Sequence, residues 1–165
     1  ESGAHPRARI DATIQEHVDP NDPEAPMIAE MRYEESLHIA ISFARDGVML
    51  GDLCASIERH VRSKGYSVVR EFVGHGVGKK LHEPPQIPNY RPESNRPRLR
   101  SGMILAIEPM VNLGKAGIKM LDDDWTVVTA DGRPSSHFEH TVLVTEDDPE
   151  ILTWRERTMI LPSDT

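Results

Sequence analysis

Residues 69–85 read VREFVGHGVGKKLHEPP, and how this stretch is taken decides the organisation of the chain. It sets His75 and His82 among Gly74, Gly76 and Gly78 and closes on Pro84 and Pro85. Glycine opens backbone conformations closed to other residues and allows close approach to a ligand, while proline fixes the direction of exit. The pattern predicts a constrained loop, hung from the end of a strand over 66–72, that presents both imidazoles. A glycine turn carrying two surface histidines uses the same residues, and both readings stand at this point.

Upstream of this stretch, Leu37, Ile41 and Ala44 recur at helical spacing beside Glu34, Glu35 and Arg45, with Gly47 as a stop. This predicts an amphipathic helix over 27–46. A second helix over 52–64 follows from Asp52 as N-cap, from Leu53, Ile57 and Val61 at i, i+4 and i+8, and from Gly65 as breaker. Cys54 lies inside it as a small buried hydrophobe. Residues 1–26 carry four prolines and read as a loose arm or remnant.

Downstream, IPNYRPESNRPRLRSG sets Pro88, Pro92 and Pro97 among Arg91, Arg96, Arg98 and Arg100 and reads as a solvated loop. The apolar run 103–107 ends at Glu108 and Pro109, as a buried strand stops. Segments 125–129 and 138–145 are rich in strand formers, and the turn signal Asp131-Gly132-Arg133-Pro134 between them predicts a hairpin. A short strand over 150–153 and a frayed tail over 161–165 complete the chain. Helices followed by antiparallel strands make an α+β architecture, one domain over 27–160, with the helices on one face of a curved sheet.

Composition narrows the function classes. A net charge of -8, from 27 acidic and 19 basic residues, argues against nucleic acid as the main ligand, because phosphate contacts need clustered Lys and Arg. One cysteine, Cys54, excludes an intrachain disulfide and a cysteine zinc cluster, which suits a reducing cytoplasmic address. No apolar run is long enough for a spanning helix, so no membrane partner is expected. The chain starts at Glu1 where translation would start at Met, as a processed product or a piece of a longer chain would.

In HFEHTVLVT, strand alternation sends Glu139, Thr141 and Leu143 to one face and Phe138, His140, Val142 and Val144 to the other. The second set is the more apolar, so Glu139 and Thr141 face the polar cleft. Glu108 ends so apolar a run that a buried carboxylate there needs a cation, a proton or an arginine. His75, Glu108 and Glu139 together make a ligand set for zinc, cobalt, manganese or iron. Pairing of each glutamate with an arginine is the plainer alternative. Other motifs fail. Pro84 and Pro85 exclude a zincin helix after His82-Glu83, the Gly74–Gly78 spacing is one residue short of a phosphate loop, and Ser135 and Ser136 beside His137 lack a nucleophile elbow.

The segments GHGVGKKLHEPPQIPNY, SGMILAIEPMVN and DDWTVVTADGRPSSHFEHTVLVTEDDPEILT, in this order and at these distances, resemble the C-terminal catalytic half of a type I methionine aminopeptidase over residues 28–153. Xaa-Pro peptidases share the GHG, HEPP and IEP elements. The Pro-Met-Val-Asn continuation after Glu108, Trp125 and the FEHT ending favour the methionine enzyme.

The resemblance implies the pita-bread fold and metal-dependent removal of N-terminal methionine from nascent peptides, with Met-initiated peptide N-termini, and the ribosome that delivers them, as partners. It makes His75, Glu108 and Glu139 metal ligands, Glu139 bridging, with Glu108 also the proton shuttle. It places His82 against the substrate and the tetrahedral intermediate, and Trp125 and Leu81 in the walls of the methionine pocket. The family uses two divalent cations, cobalt, manganese, iron or zinc. It also uses two aspartates from its N-terminal half.

Asp11 and Asp22 have the spacing of those aspartates, but Asp22 lacks the preceding glycine and sits between Pro20 and Pro23. Without that pair the remaining set holds at most one cation, and weakly. Three readings follow: a fragment of an aminopeptidase, a truncated non-catalytic binding module, and half of a Xaa-Pro peptidase. Each predicts an exposed sheet edge and apolar face, with weak stability or self-association.

Overall fold

The computed structural model describes residues 35–154. The arm at 1–26, with Asp11 and Asp22, and the tail at 161–165 lie outside the described residues, as do the ends of the 27–160 domain. The described elements are α1 (Glu35–Ser42), α2 (Leu50–Ser63), β1 (Ser67–Val68), β2 (Gly74–Val77), β3 (Glu83–Ile87), β4 (Ile104–Ile107), β5 (Met110–Asn112), β6 (Ile118–Met120), β7 (Val127–Thr129), β8 (Ser135–His137), β9 (His140–Leu143) and β10 (Glu150–Ile151). An antiparallel five-stranded sheet runs β10-β9-β4-β2-β3, a three-stranded sheet runs β1-β5-β8, and β6 pairs with β7 alone.

The helices cover one face of the large sheet. Leu37, Ala40 and Ile41 of α1 and Leu53, Ile57 and Val61 of α2 bury into one core with Leu105 and Ile107 of β4 and with Val142 and Val144. That burial, at about 25 cal/mol per Å² of apolar surface, is the main force holding helices to sheet. The alternation expected for HFEHTVLVT is present: Val142 and Val144 are fully buried in this core and Phe138 packs against it.

α1 ends at Ser42, short of the expected residue 46. Its last turn tightens into i−3 bonds, Phe43 N–H to Ala40 and Ala44 N–H to Ile41, and Arg45 then bridges to Thr145. α2 begins at Leu50, two residues before the expected N-cap. Met49 offers no side-chain cap, and the amides of Leu50 and Gly51 donate instead to the carbonyls of Pro97 and Asn95. Asp52 falls in the first turn, where a carboxylate complements the helix dipole. Segment 88–100 is therefore more than a solvated loop. It caps α2, buries Leu99 completely, and ties Arg98 to the Gly47 carbonyl and the Arg91 amide to Glu58.

Three strand expectations are corrected. Gly74–Val77 form a strand, β2, in the interior of the large sheet, so the expected loop is confined to residues 78–82, which carry His82. A side chain on Gly74 would place its Cβ 2.4 Å from the Ala106 carbonyl oxygen, and one on Gly76 2.3 Å from that of Pro84. These glycines serve close strand approach, the other use of the residue. The strand expected over 66–72 shortens to Ser67–Val68. The hairpin between 125–129 and 138–145 does not form. β7 pairs with β6 because Asp123 builds the nearer turn, accepting from the amides of Trp125 and Thr126 and from the Thr126 hydroxyl. That hydroxyl, followed by the backbone amides, holds the Asp123 carboxyl below its ordinary range.

Met120, Leu121, Trp125 and Val128 on the β6–β7 hairpin, and Leu152 and Trp154 after β10, are open to solvent.

Candidate metal centre

β4 and β9 pair through Ile107 opposite His140, and β5 and β8 through Met110 opposite His137. Between these pairs both chains pass from the large sheet to the small one, at Glu108-Pro109 on one side and Phe138-Glu139 on the other. Pro109 has no N–H to continue the ladder, and its carbonyl accepts from the Phe138 amide. The two glutamates thus meet at a sheet corner, where strand pairing gives way.

His75 enters from β2. It stands opposite Ala106, which stands opposite Thr141, so all three share the sheet face away from the helices. Glu108 follows Ala106 by two residues and Glu139 precedes Thr141 by two, which extends the same face past the end of the ladder. His75 Nδ1 donates to the Gly76 carbonyl at 2.9 Å, since a carbonyl only accepts. Nε2 then carries the lone pair, and it lies 3.5 Å from Glu108 Oε1.

Sequence reasoning missed one residue of this corner. His137 Nε2 is buried, makes no hydrogen bond, and lies 3.4 Å from Glu108 Oε2. Glu108, His137 and Glu139 each offer a ligand atom, and these atoms lie within 4.8 Å of one another. The signal was present: His137 stands two residues before Glu139, and side chains at i and i+2 of an extended chain share a face. Arginine pairing was the alternative for the glutamates. Imidazoles flank Glu108 instead, and imidazole is also a metal-binding group.

The remaining site residues divide. The exposed ring of His82 lies 4.1 Å from that of His75, centroid to centroid. Leu81 is exposed to 44 % and Trp125 to 69 %, so neither is enclosed in a pocket wall here. Donors of this kind, imidazole nitrogen and carboxylate oxygen around a buried orphan atom, fit a borderline divalent cation.

The profile of Metallopeptidase family M24 matches residues 9–146. The chain is 52 % identical over 120 residues to methionine aminopeptidase 1 of Bacillus subtilis, covering 73 % of this chain and 48 % of that one. Against the Escherichia coli K12 methionine aminopeptidase it is 43 % identical over 123 residues, covering 74 % and 47 %. The Thermotoga maritima methionine aminopeptidase structure superposes with a TM-score of 0.76 at 46 % identity, over 81 % of this chain and 53 % of that one. The chain spans about half the length of these relatives. The family match over residues 9–146, with relatives 52 % and 43 % identical over about three quarters of this chain, makes it a member of Metallopeptidase family M24.

Proposed function

We propose that this chain is the catalytic half of a methionine aminopeptidase, which hydrolyses the bond after the first residue of peptides that begin with methionine. The observation that carries the reading is Glu108, a buried carboxylate held between two imidazoles at a corner it shares with Glu139. Relatives named methionine aminopeptidase support this choice among M24 chemistries.

His75, Glu108 and Glu139 would hold the cation, cobalt, manganese, iron or zinc. Such a cation supplies Lewis-acid polarisation and a more acidic water. Glu108 moves the proton between water and leaving amine, and the exposed imidazole of His82 meets the substrate carbonyl. Trp125 and Leu81 supply apolar surface for the methionine side chain. Nascent chains in the cytoplasm, beside the ribosome, are the substrates that fit this specificity.

Titration of the chain with cobalt or manganese, together with turnover of Met-Ala and Ala-Pro peptides, tests this. Met-Ala turnover is the expected result. Metal binding with no turnover would favour a non-catalytic binding module, and preference for Ala-Pro a Xaa-Pro peptidase. Prolidase from Pyrococcus horikoshii superposes less closely, with a TM-score of 0.61 at 25 % identity, which supports the methionine reading over the Xaa-Pro one.

A further inference from the structure

We propose that His137 is itself a metal ligand, forming with Glu108 and Glu139 a one-histidine, two-carboxylate site for a single borderline divalent cation within this chain. The inference rests on the M24 reading of the corner and adds to it a donor outside the His75, Glu108 and Glu139 set. Three observations carry it. First, His137 Nε2 is a buried nitrogen with no hydrogen bond, a costly condition that a metal removes. Second, it lies 3.4 Å from Glu108 Oε2, the separation expected of two donors that each sit about 2.1 Å from one tetrahedral ion. Third, Glu139 completes a group whose ligand atoms all fall within 4.8 Å.

Glu108 presents its two oxygens to different imidazoles, Oε1 to His75 and Oε2 to His137. The carboxylate can therefore serve the His137 site without giving up its contact with His75. A nitrogen donor among carboxylates favours zinc, cobalt or iron(II) over magnesium and calcium, which prefer all-oxygen shells.

The test is cobalt titration of the full chain, followed by visible absorption, with zinc and magnesium as competitors. Loss of a ligand by His137→Gln is expected to weaken cobalt binding at least about tenfold and to change the absorption band, while zinc competes and magnesium does not. Unchanged affinity and band in His137→Gln, with binding lost in Glu108→Gln and Glu139→Gln, would overturn the role of His137 and leave the M24 site standing. Binding unaffected by all three variants would remove both. Should His137→Gln fail to fold, zinc added to the unmutated chain decides the question by nitrogen NMR. Movement of the His137 ring resonance supports ligation, and a fixed resonance overturns it.

Discussion

The carboxylate of Glu108 and the imidazole of His75 face each other across 3.5 Å from adjoining parts of the sheet, and a backbone carbonyl fixes which nitrogen His75 turns toward it. The Nδ1–H donates to the Gly76 carbonyl, which leaves Nε2 as the ring nitrogen turned to the Glu108 carboxylate.

Glu139→Gln is expected to weaken cobalt or manganese binding about tenfold or more, because an amide oxygen is a poorer donor than a carboxylate. Isothermal titration measures it. His82→Ala should leave that affinity unchanged and lower kcat on a Met-Ala peptide by about 10²-fold or more. Equal loss of metal in the two variants would contradict the division of roles.

Gly76→Ala is expected to destabilise the sheet by about 1–3 kcal/mol, since the new Cβ would stand 2.3 Å from the Pro84 carbonyl oxygen and backbone must shift to admit it. Because Gly76 also accepts from His75, metal affinity should fall with stability. Urea unfolding and cobalt titration read the two effects separately.

Leu53→Ala removes a side chain with no exposed surface from the face of α2 that meets the core. A loss of about 2–5 kcal/mol is expected from lost transfer energy and the cavity left behind. Chemical denaturation should show it as a lower midpoint with an unchanged slope.

Cys54 is sealed inside α2, and burial pushes its thiol from 9.0 up to about 12. The folded state therefore disfavours the thiolate, and its share of stability is full below pH 9 and is lost as pH rises toward 12. Iodoacetamide at pH 8 should leave Cys54 unmodified in the folded chain and label it in urea, as mass spectrometry would show. Cys54→Ala should flatten the fall in stability above pH 9.

Local pattern carried much of this molecule. The spacing of Leu53, Ile57 and Val61 wrote α2, and the apolar run stopping at Glu108-Pro109 wrote β4, because periodicity and the missing proline amide act within a few residues. The motif order around His75, Glu108 and Glu139 also pointed to the family, since each motif is contiguous in the chain.

What tertiary structure alone decided was non-local. Gly74 and Gly76 suit a turn or a tightly packed strand equally well, and only the nearness of Ala106 and Pro84 selects the strand. Val127–Thr129 had two turns to choose between, and the hydrogen bonds to Asp123 settled the nearer one. His137 became part of the centre when β8 paired with β5 and met Glu108 across the bend. Sequence determined the ligand types because chemistry resides in side chains; pairing register determined which of them meet, because register couples residues far apart in the chain.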